Sequence, residues 1–361
     1  MKLFPLLKIA VVGVGVAGSY LLSRLRDEHT VEGFEMTHPS RYYPICAWGT
    51  SKNVMKNFAK NVGLNFDDYL LYTGKEMIVD LGGELYPIKL KGLCTFDKKR
   101  FEEDLIKDCN VKFNVRVKSI PNGYDLIIDS TGFNRSLLPK IENQYYIPTI
   151  EYRVKFKDPP FNDFYIKPFR GLSGYLWFFP LGDRIYHVGA GDYFKRHCSA
   201  VEEFVKKYNG EILMKIGRPV RITPPQYCQP FYDGAVVGVG ESIGTVYPML
   251  GEGIIPSLYS AEALIENLED LEKYRRTILR IFKPYNTVFQ FIRKGLTGKL
   301  DLKKDWILLF KIYLHMRFRE ERYGIQARVR DFYKVVNAAW KKIKLPQKLS
   351  MNPYSQMIIH E

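Results

Sequence analysis

The sequence predicts an α/β fold: a Rossmann-like dinucleotide-binding domain, an antiparallel β-rich domain inserted into it, and a helical C-terminal region. Three observations carry this prediction. The first 35 residues read as strand, glycine turn, helix and second strand. A second buried strand, Asp125-Leu-Ile-Ile-Asp129, closes on Ser130-Thr131-Gly132. Gly234-Ala-Val-Val-Gly-Val-Gly240 then returns to the same style after a middle of different character.

Each element has a physical reason. Lys8-Ile-Ala-Val-Val12 is a short β-branched apolar run of the kind a buried parallel strand needs. Gly13-Val-Gly15-Val16-Ala17-Gly18 follows at once, and 19–26 continues as a helix with Tyr20, Leu21, Leu22 and Leu25 free to pack. Gly13 permits the tight turn, Gly15 lets backbone approach a pyrophosphate, and Gly18 lets helix and strand pack closely. The helix N-terminus offers unpaired N–H groups to phosphate. The second strand, 30–34, ends on Glu35, where a carboxylate can accept from a ribose hydroxyl. The context on both sides raises the glycine pattern above an ordinary turn, and it reads as a site for FAD or NAD(P).

Beyond Glu35 lies a loop, 36–50, holding Arg41, Tyr42, Tyr43, Pro44 and Cys46. A helical patch follows, then strands at 76–81 and 84–89. A helix is expected over 95–107, with Asp97 as N-cap and Phe101 and Leu105 four apart. Residues 111–117 read as a strand. From about 145 to 232, runs such as Gly174-Tyr-Leu-Trp-Phe-Phe cluster β-formers between Gly, Pro and Asp turns, with one helix near 200–208. A helix is expected from 253 to 268, and the remainder is helical, basic and aromatic. The domain reading is therefore 1–140 with 233–270, then 141–232, then 271–361. A nucleotide domain interrupted by a β-rich insertion favours a flavoprotein over a simple nicotinamide dehydrogenase.

Composition sets limits. With 361 residues, 46% hydrophobic and 26% charged, the chain is globular and can bury a sizeable core. The 25 Tyr and 23 Phe fit either an aromatic core or a large apolar ligand. A net charge of +15 favours an anionic partner. Nothing resembles a nucleic-acid-binding module, so a membrane surface or a phosphorylated substrate ranks above nucleic acid. The five cysteines are scattered without a CxxC pair, which argues against a zinc site and a disulfide framework. No signal peptide and no spanning run of about 18 apolar residues is evident, so a cytoplasmic placement is expected.

At four segments the chain resembles the geranylgeranyl reductase family, within the flavoproteins shaped like p-hydroxybenzoate hydroxylase. They are the glycine unit ending in Glu35; Asp125-Leu-Ile-Ile-Asp129-Ser-Thr131-Gly132; Gly238-Val-Gly240-Glu241-Ser-Ile-Gly244 with Pro248-Met-Leu-Gly251-Glu252-Gly253-Ile254; and Tyr175-Leu-Trp177-Phe-Phe179-Pro180, which fits YxWxFP. Thr95-Phe-Asp97-Lys-Lys-Arg100 sits where the group carries an Arg-containing stretch before a helix. The resemblance implies FAD as cofactor, held by Gly13, Gly15, Val16, Ala17, Gly18, Glu35, Met36, Arg100, Thr131, Gly132, Gly240, Glu241, Pro248, Gly251, Glu252, Gly253 and Ile254. It implies an apolar substrate site with Cys46, Tyr175, Trp177 and Phe179.

Two departures stand out. Glu241 replaces the usual Asp, and Pro44-Ile-Cys46-Ala-Trp48-Gly49 displaces the family's cysteine by one residue, leaving Cys46 either a core residue or an active-site thiol. The implied reaction is saturation of C=C bonds in an isoprenoid lipid or prenyl diphosphate, with NAD(P)H or reduced ferredoxin as electron donor. His38 and Cys46 are the only candidate acids by position. Alternatives are a flavin monooxygenase of the same shape, or a flavin-binding membrane-surface protein without turnover. The last is suggested by the apolar stretch 306–318 and the basic run Lys341-Lys-Ile-Lys344, read either as helices packed on the flavin domain or as a docking surface for anionic lipid.

Overall fold

The computed structural model describes residues 6–341. Positions 342–344 of the C-terminal basic run lie outside the described residues.

The apolar run Lys8–Val12 is a central strand of a six-stranded sheet ordered Tyr232–Asp233, Val236–Gly238, Leu126–Asp129, Lys8–Val12, Thr30–Phe34, Asn110–Lys112. All pairs are parallel except the short edge hairpin at 232–238. A strand buried on both faces needs apolar residues at every position, and Ile9, Ala10 and Val11 are wholly buried. The helix Val16–Leu25 packs between Lys98–Ile106 and Ile254–Ile265. Its Tyr20, Leu21, Leu22 and Leu25 are all buried, each worth about 1.5–3 kcal/mol by removal from water.

The β-rich part is a seven-stranded sheet ordered Glu211–Arg221, Tyr146–Lys155, Ile185–Asp192, Gly174–Gly182, Phe164–Pro168, Glu76–Asp80, Leu85–Lys89. It is antiparallel except where Phe164–Pro168 meets Glu76–Asp80. The hairpin at 76–89 thus hydrogen-bonds into this sheet, although the sequence reading groups it with segment 1–140. Its strands turn Met77 and Val79 inward, where they pack with Phe164, Ile88, Leu90 and Leu93. One face of the sheet is covered by the helix His197–Lys207, with Tyr152, Val154, Leu176, Phe178 and Phe204 forming a closed aromatic core.

A small third sheet of Gly49–Ser51, Leu93–Phe96 and Leu70–Thr73 bridges the two. The helix expected over 95–107 begins only at Lys98, because Thr95 pairs with Gly49 as strand; Asp97 caps it, accepting from Arg100 N at 3.0 Å. The strand expected over 111–117 ends at Lys112.

The C-terminal helices are Leu271–Ile281, Lys283–Leu296, Trp306–Arg317, Glu320–Tyr323 and Val329–Lys341; Glu320–Tyr323 packs on the strand Gly49–Ser51 and Val329–Lys341 on the turn at 170–172. Ile312 is buried, whereas Trp306, Ile307, Phe310 and Phe318 are each more than half exposed. Among the described residues no helix is long and apolar enough to cross a membrane.

Candidate functional site

Three loops leave the carboxyl ends of neighbouring parallel strands: 13–15 after Lys8–Val12, 130–132 after Leu126–Asp129, and 239–241 after Val236–Gly238. Strand order reverses around Lys8–Val12, and in open α/β sheets ligands bind at such a switch point. The loops are tied together. Ser130 Oγ donates to Val12 O at 2.8 Å, and Ser242 Oγ donates to Asp129 O at 2.7 Å. Buried Asp129 accepts from Thr131 N, Thr131 Oγ1, Leu137 N and Leu138 N, which fixes the turn carrying Thr131 and Gly132.

The glycine positions are sterically required. Gly13 has φ +91°, and a Cβ there would lie 2.7 Å from Ser130 O; a Cβ on Gly18 would lie 2.0 Å from Gly13 O. Gly15 differs, because a Cβ there would meet nothing within 4 Å. No side chain caps the helix that starts at Val16, so its first-turn N–H groups face this open cradle. Glu35 is buried beside it, accepting from Val14 N at 3.0 Å and Thr37 N at 2.9 Å. An uncapped helix start, room for phosphate and an adjacent carboxylate fit the pyrophosphate and ribose of a dinucleotide. Met36, next to Glu35, is 56% exposed and stands outside this group.

A second uncapped helix start, Gly253 before Ile254–Ile265, opens on a cavity of about 420 Å³. The approach is a tight loop: Gly251 N donates to Tyr247 O and Tyr247 N to Glu252 O, both at 2.9 Å. Gly251 has φ +64°, with open space where a Cβ would be. Pro248, Gly251, Glu252, Gly253, Ile254 and Glu241 all line the cavity. Gly240 and Gly132 sit just behind, and a Cβ on Gly132 would lie 3.6 Å from Glu241 Oε2. Glu241 accepts from Arg221 N at 2.8 Å and pairs with Arg218.

The opposite wall is the second face of the seven-stranded sheet. Tyr175, Trp177 and Phe179 occupy alternate positions of Gly174–Gly182 and all point into the cavity. The Tyr175 hydroxyl donates to Leu250 O, which joins this strand to the glycine loop. Trp177 Nε1 donates to Glu151 Oε2 at 3.3 Å. Cys46 also lines the cavity, and burial pushes its thiol above the usual range, so it is held as a thiol rather than a nucleophilic thiolate.

Arg100, like Met36, faces away from the rest of the expected set. It is paired with Asp104 at 3.9 Å and lies 5.3 Å over the Tyr69 ring. The cation of this segment that lines the cavity is Lys98, buried and bonded to Glu102 at 2.5 Å. Two helical positions separate them, a rotation of roughly 200°, so only one can point inward.

Among the cavity residues that escaped the sequence reading are Lys98, Glu151, Arg218 and Arg322. Arg322 comes from the C-terminal helices, donating to Glu252 at 2.7 Å and to the Tyr285 hydroxyl at 2.7 Å. Burial pushes the Glu252 carboxyl up, and Arg322 opposes that shift. In sequence Arg319-Glu-Glu-Arg322 looks like a surface charge run, and nothing local marks it otherwise. Glu151 pointed to itself only weakly, as a charge alternating with Tyr152 and Val154 in a strand.

Comparison with known proteins agrees with this architecture. No family model matches the chain. An uncharacterized protein of Methanocaldococcus jannaschii is 28% identical over 311 residues, covering 72% of this chain and 82% of its own. Among solved structures, a geranylgeranyl bacteriochlorophyll reductase-like protein of Thermoplasma acidophilum superposes with a TM-score of 0.70 at 15% identity, covering 93% of this chain and 97% of its own. A probable FAD-dependent monooxygenase of Pseudomonas aeruginosa superposes at 0.58 with 12% identity, covering 88% and 98%. The chain therefore has the fold of the p-hydroxybenzoate-hydroxylase-like flavoproteins.

Proposed function

We propose that the chain is a FAD-dependent oxidoreductase that reduces C=C bonds in an isoprenoid lipid or prenyl diphosphate. The observation that carries this reading is the continuity of the cavity. From the glycine loop at 251–253 it extends over the aromatic strand and its sheet neighbours Met77, Val79 and Ile166, with Phe332, Val335 and Val336 of the last helix completing an apolar lining. A long apolar chain needs such a wall, whereas a small polar aromatic substrate needs convergent hydrogen-bonding groups. The likeness to the reductase-like structure supports the same reading.

FAD fits the two uncapped helix starts. Gly13, Gly15, Val16, Ala17, Gly18 and Glu35 would hold its nucleotide half; Thr131, Gly132, Gly240 and Glu241 the linking chain; and Pro248 with 251–254 the ring end. Bound there and reduced, FAD supplies hydride. The helix start at Gly253 favours negative charge beside it. Tyr175, Trp177 and Phe179 keep the cavity dry and hold the substrate against the loop. NAD(P)H or reduced ferredoxin would be the electron donor.

The exposed face of Trp306, Ile307 and Phe310, flanked by exposed Lys303, Lys304 and Lys311, suits a peripheral contact with an anionic membrane carrying the substrate.

The test is spectroscopic. The purified protein is expected to show a flavin spectrum that bleaches with anaerobic dithionite. On adding a geranylgeranylated lipid without oxygen, the spectrum returns and the lipid gains mass in steps of two hydrogens. Absence of flavin, or a flavin that stays reduced with every prenyl substrate, refutes the proposal. Reoxidation only in air, stimulated by an aromatic or lipid substrate, would instead favour the monooxygenase reading that the Pseudomonas structure suggests by analogy.

A further inference from the structure

Three neighbouring strands place a line of polar side chains on the cavity wall. In register, Glu151 lies opposite Gly189, and Gly189 lies opposite Trp177. A Cβ on Gly189 would come within 2.3 Å of the Trp177 ring, so only glycine lets the indole cross the middle strand to reach Glu151. Glu151 is buried yet lines the cavity. Its Oε1 has no hydrogen-bond partner, and neither has Nδ1 of fully buried His187, 3.6 Å away. Buried polar atoms without a hydrogen bond are costly, and two that face each other at this distance, beside the Ala47 backbone, call for a functional reason. On its other side His187 Nε2 bonds the Tyr43 hydroxyl at 2.9 Å. Tyr43 is half-buried and stacked on Trp48.

We propose that Glu151 is the proton donor to substrate bound in this cavity, recharged through His187 from Tyr43. The inference rests on the proposed reduction of C=C bonds. Hydride from the reduced flavin adds to one alkene carbon, and the second carbon takes the proton of the Glu151 carboxyl, whose O–H bond breaks to leave a carboxylate. That carboxylate takes the proton from His187 Nδ1 as Nε2 takes the Tyr43 hydroxyl proton, and Tyr43 recovers one from water. One hydride and one proton saturate the bond, the relay returns to its starting charge, and a turn of the imidazole ring, which exchanges the positions of its two nitrogens, restores the starting His187 tautomer for the next cycle.

The surroundings suit these roles. Burial pushes the Glu151 carboxyl up to about 8, against a hydrogen bond from Trp177 and the charge of Lys98, so it keeps its proton at neutral pH. Burial pulls His187 down to about 3, so the proton crosses by a change of tautomer without an accumulating imidazolium. The groups facing the relay are Lys98 and Asp97 at the start of Lys98–Ile106, Arg153 on the strand of Glu151, and Cys46 and the Ala47 backbone from the preceding loop.

Infrared difference spectroscopy on the full-length flavoprotein tests the stored proton directly. The wild type is expected to show a protonated-carboxyl C=O absorption near neutral pH that is missing from Glu151→Gln and titrates away in mildly alkaline buffer. A Glu151→Gln spectrum identical to wild type in that region overturns the proposal. In turnover, Glu151→Gln should slow alkene saturation by roughly 10²-fold or more while flavin content and reduction by dithionite are unchanged. Glu151→Asp should recover part of the rate, and Tyr43→Phe should slow repeated turnover more than the first. Saturation by Glu151→Gln at the wild-type rate also overturns it. If the wild type saturates no alkene, the reduction reading fails, and the infrared result alone decides whether Glu151 holds a transferable proton.

Discussion

The two faces of the seven-stranded sheet are built from the same strands and differ in almost every other respect. On Tyr146–Lys155, Tyr152 and Val154 enter a closed core under the helix His197–Lys207, while Glu151 looks into the cavity. On Gly174–Gly182, Leu176 and Phe178 go to the first face, and Tyr175, Trp177 and Phe179 to the second. The helix face is packed ring on ring: Phe178 and Tyr186 stack at 4.2 Å, and Phe161 and Tyr165 at 4.1 Å. The cavity face keeps open volume and leaves Glu151 Oε1 and His187 Nδ1 without partners. One face supplies the rigidity that lets the other carry unsatisfied polar groups.

Cutting into the helix face should have the largest effect on stability. Phe178→Ala removes a fully buried ring from the centre of that core and is expected to cost about 3–5 kcal/mol in denaturant unfolding. A loss under about 1 kcal/mol would mean that this face is not the rigid one. Gly189→Ala attacks the other face at its closest approach. The new methyl collides with Trp177, so the indole should leave Glu151, at a cost of about 1–3 kcal/mol. An unchanged near-ultraviolet dichroism and an unchanged midpoint would show that Trp177 does not cross Gly189.

The sharpest contrast is in pH. Glu151 is raised from its ordinary value to about 8, so between about 4.5 and 8 the unfolded chain loses a proton that the native protein keeps. Its contribution is whole below that window and is lost as pH rises through it. His187 is lowered to about 3, so its contribution is whole above about 6.5 and is lost as pH falls toward 3; half-buried His315, lowered to about 4, adds in the same direction. Thermal midpoints should fall on both sides of a weakly acidic optimum. Glu151→Gln should weaken the alkaline limb, to which the raised Glu252 also contributes, and leave the acid limb, whereas Phe178→Ala should shift the whole curve down without changing its shape. An alkaline limb unchanged by Glu151→Gln would refute the assignment.

How far the chain can be read without its structure follows from the same contrast. Lys8–Val12, the glycine turn and Glu35 were legible because a buried parallel strand, a phosphate-sized turn and a strand-end acid are all local patterns. The YxWxFP stretch was legible as a strand whose alternate aromatics share a face, and they do. Arg100 was expected from the family resemblance alone, and in the helix Lys98–Ile106 it is Lys98 that lines the cavity.

By itself the sequence determined the opening strand, turn, helix and strand, the two glycine-rich helix starts and the return of the chain to the parallel sheet at 236–238. Each depends on residues within a few positions of one another. Only the tertiary structure decided that Glu151, His187 and Tyr43 meet, that Arg322 closes over Glu252, and that the hairpin at 76–89 joins the far sheet. Alternation tells that a strand has two unlike faces. Whether the polar face meets water or a closed cavity depends on what the rest of the chain lays over it, and burial is what turns an ordinary glutamate into one that keeps its proton.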